Sequence, residues 1–343
     1  MRHLLFLLLI TTLVCIGGCA PGAGDHEIMV AFYNCENLFD TLDDPAKEDE
    51  DFTPQGKYNY TQRIYEQKLR NIATVIQSMG PEGPAIIGLA EVENSTVLND
   101  LTRQPELQRA GYKFAWFDGP DPRGINVALL YNTQYFSVIS SEPLHVDLSA
   151  FGGKSVTRDV LHVFGILSGD TIDLLVNHWP SRRGGEDASD DKRAAAAGVD
   201  KEAIATIQKI RPAAKIILMG DLNDNPTDNS IAAILGAKAE PGEVAETGLY
   251  NPWTRIYKSG AGTEAYRGSW NLFDQVIISG SLLTNKNHKL HYEKAAIYRP
   301  GFITDHYKGH DGEPHRSFAG THWINGFSDH FPVILYLSNS NGN

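Results

Sequence analysis

An acid and an amide follow a short apolar run in the middle of the chain. Residues 215–219 (Lys-Ile-Ile-Leu-Met) are mostly aliphatic, and Asp221 and Asn223 come just after them. A short aliphatic run that ends at a turn residue, here Gly220, is typical of a buried strand. Asp221 and Asn223 therefore leave the predicted strand side by side at its C-terminal end, where open α/β layers place their ligands.

Four further segments place polar side chains at the end of a predicted strand. One such arrangement is usually structural, but five separated ones that supply acids, amides and imidazoles indicate a shared site. The side chains are Asn34 and Glu36 after residues 28–33, Glu91 after 85–90, Asn177 and His178 after 173–176, and Asp329 and His330 before 332–337.

The N-terminus has the features of an export signal. A short basic region precedes an apolar stretch over residues 4–14, which is shorter than the roughly 20 residues of a membrane span. The small residues before Cys19 resemble a bacterial lipobox. We expect residues 1–18 to be a lipoprotein signal peptide and Cys19 to carry the lipid; ordinary cleavage beside an incidental cysteine is the alternative.

The lipid would hold the mature protein on a membrane after export. Ala20 is not the aspartate that retains many lipoproteins at an inner membrane, so an outer-membrane location is favoured. Residues 19–27 are expected to be a tether. Residues 28–338 are expected to form one domain, because no linker or repeat interrupts the strand-like runs. Cys35 is the only cysteine after the tether, which excludes an intrachain disulfide there.

The charge of the chain restricts its partners. Its 343 residues carry a formal net charge of −12, which repels polyanions over most of the surface. The one basic pair near the predicted site is Arg182 and Arg183, on a glycine-flanked loop. Paired guanidiniums suit phosphate recognition, although a solvated surface pair is the alternative. We expect a monomer that acts on a small phosphate ester and forms no stable nucleic-acid complex.

Hydrophobic periodicity predicts helices over residues 60–79 and 190–210. Residues 168–170 (Ser-Gly-Asp) predict a hairpin turn between two strands. Tightly paired strands with few helices favour a layered sandwich over a purely parallel doubly wound sheet. The predicted strands are 127–131, 135–140, 160–167, 171–176, 215–219, 274–279, 290–297 and 331–337.

Two segments are predicted to be long loops. Residues 41–59 are rich in acids but lack the spacing of an EF-hand, so a solvated loop is favoured over a calcium site. Residues 300–326 hold four histidines without paired zinc spacing, so a rim or lid loop is favoured over a zinc site.

The collected oxygen donors favour a hard divalent cation. Carboxylate and amide oxygens suit magnesium, manganese or calcium, and no cluster of cysteine or histidine competes for a softer metal. Acids collected at one sheet edge repel one another, and a divalent ion both relieves this repulsion and polarises a phosphoryl oxygen.

At this point the chain resembles the endonuclease/exonuclease/phosphatase superfamily, which has the deoxyribonuclease I fold. Four motifs carry the resemblance in family order: residues 33–37 (Tyr-Asn-Cys-Glu-Asn), 89–92 (Leu-Ala-Glu-Val), 220–223 (Gly-Asp-Leu-Asn) and 328–330 (Ser-Asp-His). The match runs from residue 29 to 337. It implies an α/β four-layer sandwich of two mixed β-sheets flanked by helices. Residues 177–185 resemble an exported bacterial subgroup of this superfamily.

The resemblance also implies roles for the candidate residues. Glu91 is implied as the principal ligand of Mg²⁺, for which Mn²⁺ could substitute, with Asn34, Glu36 and Asp329 near the ion. The implied catalytic residues are Asp221 and Asn223 at the attacking water and a phosphate oxygen, His330 at the scissile phosphate, Asp274 as the partner of His330, and His178 as a second imidazole. The residues expected to contact substrate are Asn126, Arg158, Arg182 and Arg183.

These observations predict a magnesium-dependent phosphoesterase that hydrolyses a phosphodiester or phosphomonoester by in-line attack of water. An extracellular or periplasmic nuclease is the alternative among enzymes. A catalytically silent binding lipoprotein is the alternative outside them, and the complete set of acids, amides and imidazoles argues against it.

Overall fold

A computed structural model describes residues 26–152, 156–284 and 289–339 of the chain. The predicted signal peptide, Cys19 and most of the predicted tether lie outside the described residues. Within the described residues, no helix combines the length and the apolar character that crossing a membrane requires.

Sixteen strands are found in the described residues. They are β1 (His26–Leu38), β2 (Ile86–Val92), β3 (Tyr112–Trp116), β4 (Asn126–Asn132), β5 (Phe136–Leu144), β6 (Val160–Leu167), β7 (Asp170–His178), β8 (Ile216–Asp221), β9 (Leu249–Tyr250), β10 (Glu264–Tyr266), β11 (Ser269–Asn271), β12 (Asp274–Ser279), β13 (His291–Ile297), β14 (Phe318–Ala319), β15 (His322–Trp323) and β16 (Val333–Asn339). The α-helices are α1 (Gln62–Ser78), α2 (Ser95–Thr102), α3 (Pro105–Gln108), α4 (Glu186–Ile210) and α5 (Trp253–Lys258).

Twelve of the strands form two six-stranded mixed sheets. The first sheet has the order β13-β16-β1-β2-β4-β3, and the second has the order β5-β6-β7-β8-β12-β9. Each sheet has one parallel pair at its centre, β1 with β2 and β7 with β8, and its other neighbours are antiparallel. The hairpin at residues 168–170 joins β6 to β7, as the sequence predicted.

The two sheets pack face to face on an apolar core. Val30 and Phe32 of the first sheet belong to the same buried cluster as Ile217 and Met219 of the second. The sheets approach closely at Gly88, where an added Cβ would lie 2.7 Å from the sulfur of Met219. Burying both faces of the central strands explains why they are continuous apolar runs.

Helices cover the two outer faces. The apolar side of α1 packs on the first sheet, where Ile72 and Ile76 join the cluster of Leu89 and Leu130. Ala197 and other residues of α4 pack on the second sheet in another cluster. The layers therefore run helix, sheet, sheet, helix. This confirms the predicted four-layer sandwich.

Candidate active site

The central strands of both sheets bring their polar ends to one edge of the sandwich. In the second sheet, Asp221 lies in register with His178 on β7 and with Asp274 on β12. The side-chain amide of Asn34, on β1, donates a hydrogen bond of 3.0 Å to Asp221 Oδ2 and joins the two sheets. His330 comes just before β16, which pairs with β1.

The backbone is strained at three of these positions. Glu36, Glu91 and Asn223 have φ angles of 50°, 60° and 50°, in the left-handed region that residues other than glycine rarely occupy. The strand register shifts beside Glu36 and Glu91. Such strain costs about 1–3 kcal/mol per residue, and it concentrates at functional sites, where it directs side chains that a regular strand would point elsewhere.

Asp221 is held at both carboxylate oxygens. Oδ2 accepts from Asn34 Nδ2, and Oδ1 accepts from the backbone N–H of Asn223 at 3.0 Å. Asn34 also donates to Glu91 Oε1 at 3.4 Å. Burial raises the pKa of Asp221 to about 7, against the opposing effect of His330. This carboxylate is fixed in place and has a pKa suited to accepting a proton near neutrality.

His330 is bound to a buried carboxylate. Its Nδ1 donates to Asp274 Oδ2 at 2.7 Å, and its Nε2 lies 3.9 Å from Asp221 Oδ2 and 4.0 Å from Asp329 Oδ1. Burial by itself would lower the pKa of His330, but Asp274, Asp221 and Asp329 together raise it well above its usual value. The ring is therefore oriented, charged, and able to donate from Nε2.

His178 faces the same carboxylate in a different electrostatic setting. Its Nε2 lies 3.7 Å from Asp221 Oδ2 and 3.9 Å from Glu91 Oε1. Burial lowers its pKa well below the usual value, and the positive charges of Arg158 and Arg123 lower it further. His178 is therefore neutral where His330 is charged.

Glu36, one of the predicted metal ligands, belongs to a second hydrogen-bond network. Glu36 Oε2 accepts from the backbone N–H of Ser317 at 2.6 Å, and the fully buried Lys68 donates to Ser317 Oγ. Burial, with help from Asp329, raises the pKa of Glu36 to about 7. Hard oxygen donors that repel one another in this way fit a divalent cation such as Mg²⁺.

Within the described residues, two triads bring one ligand atom each within 4.8 Å of one another. The first is Asp221, Asp274 and His330, and the second is Asp43, Asp49 and Glu50 in the acidic loop. Glu36, Glu91 and Asp329 do not form such a triad. The predicted metal ligands therefore lie at the same edge but are spread more widely than a closed cage.

Two of the predicted substrate contacts, Arg158 and Asn126, have hydrogen-bond partners within the protein. Arg158 donates to the carbonyl oxygens of His178 and Trp179 and pairs with Asp121, so it holds the end of β7 from within the protein. The side chain of Asn126 also bonds within the protein. Its Nδ2 donates to the carbonyl oxygens of residues 93 and 124, and its Oδ1 accepts from the backbone N–H of residue 119.

The two arginines of the basic pair lie in different surroundings. Arg182 bonds Asp224, Asp228 and Glu186 and lies over the ring of Phe273 at 4.7 Å. Acidic partners in the protein therefore already hold this guanidinium. Arg183 is exposed.

Sequence reasoning missed two buried titratable side chains, Lys68 and Asp200, that support the site. Lys68 lies four residues from both Ile64 and Ile72, and a lysine on an apolar stripe was the available signal. Asp200, on α4, accepts from Asn177 Nδ2 at 3.2 Å and from Trp179 Nε1 at 3.1 Å, and thereby holds both neighbours of His178.

The loop over residues 300–326 is a rim of the site. Its Ser317 contacts Glu36, and its histidines pair with acids, such as His315 with Asp305 at 2.5 Å and His310 with Glu313 at 2.7 Å. Among the described residues, no triad of the metal-binding type includes these histidines. The contact between Ser317 and Glu36 fits the rim expectation.

Comparisons with known proteins agree with this geometry. The model of the Endonuclease/Exonuclease/phosphatase family matches residues 29–339. A search of curated protein sequences found no match.

Similar solved structures include truncated Caenorhabditis elegans TDP2, with 17% identity and a TM-score of 0.57, covering 91% of this chain and 97% of that chain. A mannosyl-6-phosphatase of Bacteroides thetaiotaomicron has 18% identity and a TM-score of 0.57, covering 90% and 99%. The human Nocturnin catalytic domain has 15% identity and a TM-score of 0.52, covering 91% and 94%. These structures share the fold, and with the family match over nearly the whole described region they establish that the chain belongs to the endonuclease/exonuclease/phosphatase family.

Proposed function

We propose that the protein is a magnesium-dependent hydrolase of a small phosphate ester. The observation that carries the proposal is the convergence of Asp221, His178 and the His330–Asp274 pair at one edge, with Nε2 of each histidine within 4 Å of Asp221. A fixed base, a charged imidazole and a neutral imidazole around one point can serve the in-line attack of water on phosphorus.

The chain's own residues divide the work. Asp221, oriented by Asn34 and by the N–H of Asn223, accepts the proton of the attacking water. His330 donates from Nε2 to a phosphoryl oxygen, while Asp274 fixes the ring and balances its charge. His178 supplies a second, uncharged donor beside the same oxygen of Asp221.

Asn34, Glu36, Glu91 and Asp329 would hold Mg²⁺, or Mn²⁺ in its place. When bound, the ion would neutralise charge on a phosphoryl oxygen and relieve the repulsion among these acids.

Replacement of Asp221 or His330 tests the proposal. We expect Asp221→Asn and His330→Ala each to lower kcat by at least about 10²-fold, because each removes a group that acts on the reacting atoms. The assay would use phosphomonoesters, phosphodiesters and plasmid DNA with magnesium, and the exposed Asp187→Asn would be the control. Near-normal rates in both variants would place the reaction elsewhere. Efficient plasmid cleavage with small esters ignored would favour the nuclease alternative.

We also propose that the mature protein is exported and is held on a membrane, with the outer membrane favoured, through lipid on Cys19. The support is the N-terminal sequence, with its short apolar stretch, small residues and following Ala20. Labelling with radioactive palmitate should mark the wild type, and Cys19→Ser should give a soluble or unprocessed form. A wild type found entirely in the soluble fraction would contradict this location.

A further inference from the structure

A cavity of about 740 Å³ opens between the β10–β11 hairpin and the 300–326 loop. Tyr266 and Arg267 of the hairpin and Tyr307 and Arg316 of the loop are among the residues that line it. None of the described residues that line the cavity belongs to the catalytic or metal sets, so the cavity has no role in the chemistry described above.

Both walls of the cavity are attached to the active site. In the hairpin, Glu264 forms an isolated antiparallel bridge with His330, and Ala265, the next residue, lines the cavity. In the loop, Ser317 binds Glu36, and Arg316, the residue before it, lines the cavity. Consecutive Cα atoms are about 3.8 Å apart. Ala265 and Arg316 in the cavity wall are therefore each one residue away from a residue that contacts His330 or Glu36.

The acids that line the cavity have ion-pair partners, whereas its two arginines have none in the part of the chain that the structure describes. Its two acids are already bound to histidines, Asp305 to His315 and Glu313 to His310. Within the described residues, Arg267 and Arg316 form no ion pair, and both are exposed. The chain has a net charge of −12, but these two unpaired guanidiniums make the surface at the cavity locally positive. They favour the binding of an anionic group there.

The aromatic groups of the cavity favour a ligand that contains a ring. Tyr266 is 56% exposed and Tyr307 is 70% exposed, although both are large and partly apolar. Arg267 lies 5.1 Å from the centroid of Tyr266. Exposed tyrosines with nearby guanidiniums provide flat faces on which a sugar or a base packs while its charged group is bound.

We propose that this cavity binds the alcohol part of the substrate, and that this part contains a ring and a second anionic group. The inference rests on the proposed function, since it places the cleaved phosphate at Asp221 and His330 and the second anion at Arg267 and Arg316. The ring lies between, against Tyr266 and Tyr307.

The test compares ligands that differ by one phosphate. Fructose 1,6-bisphosphate is paired with fructose 6-phosphate, and adenosine 3′,5′-bisphosphate with adenosine 5′-monophosphate. Binding is measured by calorimetry with magnesium present, and phosphate release is followed in parallel. The proteins are the wild type, the double variant Arg267→Ala with Arg316→Ala, and Arg109→Ala as a control that removes an exposed arginine outside the cavity.

In the wild type and Arg109→Ala, we expect the second phosphate to tighten binding by roughly tenfold or more in at least one pair, the scale of one charge-assisted contact. The double variant should lose most of this gain. A gain in the fructose pair assigns a sugar, and a gain in the adenosine pair assigns a nucleoside. No gain in the wild type, or a gain that survives in the double variant, would overturn the proposal. Tighter binding of a bisphosphate without phosphate release from any ester would support the proposed binding site in the cavity and contradict the proposed hydrolase activity.

Discussion

His178 and His330 show how the surroundings of a residue decide its chemical role. Both imidazoles lie within 4 Å of Asp221 Oδ2, yet His330 contacts the carboxylate of Asp274 whereas His178 lies near the cations Arg158 and Arg123. The same kind of side chain is therefore a cation at position 330 and a neutral donor at position 178. Residues with separated pKa values around one point divide acid and base roles between them.

The pH dependence of stability tests how burial affects another single residue, Asp200. Burial raises its pKa to about 7, so the folded chain holds the proton more tightly than the unfolded chain, whose aspartates titrate near about 4. The stability from this proton is complete below about pH 4 and is lost as the pH rises through about 7. Between pH 5 and pH 8 we expect Asp200 to account for a loss of at least about 1 kcal/mol in unfolding free energy.

Urea unfolding of metal-free protein at both pH values, for the wild type and Asp200→Asn, measures this contribution. The variant should lose less stability than the wild type over the interval, because its side chain does not ionise. An equal loss in both proteins would show that Asp200 is ionised throughout and would remove this assignment.

At the scale of elements, the N-terminal end of α4 is joined to the loop after β8 through Arg182. The guanidinium is 20% exposed and bonds Asp224 and Asp228, while the neighbouring Arg193 also bonds Asp224. This cluster positions the segment that follows Asn223. Its role is therefore to hold the architecture of the site.

Arg182→Ala should lower the unfolding free energy by about 1–3 kcal/mol, since it leaves the buried Asp224 with fewer donors. Arg183→Ala should change it by less than about 0.5 kcal/mol, as is usual for an exposed side chain. Thermal unfolding and KM values for a small ester, measured on both variants, compare the two roles. A stable Arg182→Ala with a raised KM would restore the substrate contact that the sequence predicted.

The sequence predicts features that are formed by residues close together in the chain. The β8 strand and the residues at its end are adjacent in the chain, and a buried strand has a clear apolar pattern, so both could be predicted. Asp224 and Asp228 are 42 and 46 positions from Arg182, and Ser317 is 249 positions from Lys68, so these pairings depend on the folded topology. The β10–β11 and β14–β15 hairpins were missed because strands of two or three residues have no periodicity to read.

At the scale of the whole molecule, the site draws on both sheets. Glu91 and Asn34 come from the first sheet and Asp221 from the second, and the bond between Asn34 and Asp221 crosses between them. The sheets also pack closely at Gly88, so the geometry of the candidate site depends on the core between them.

The collected acids of both sheets predict that activity depends on a bound divalent cation. The most direct measurement is phosphate release from the ester panel by purified protein, first in excess chelator and then with magnesium restored, for the wild type and Glu91→Gln. We expect no turnover in chelator, full recovery of the wild type with magnesium, and a strongly weakened magnesium response in Glu91→Gln. Full wild-type activity in excess chelator would contradict the mechanism.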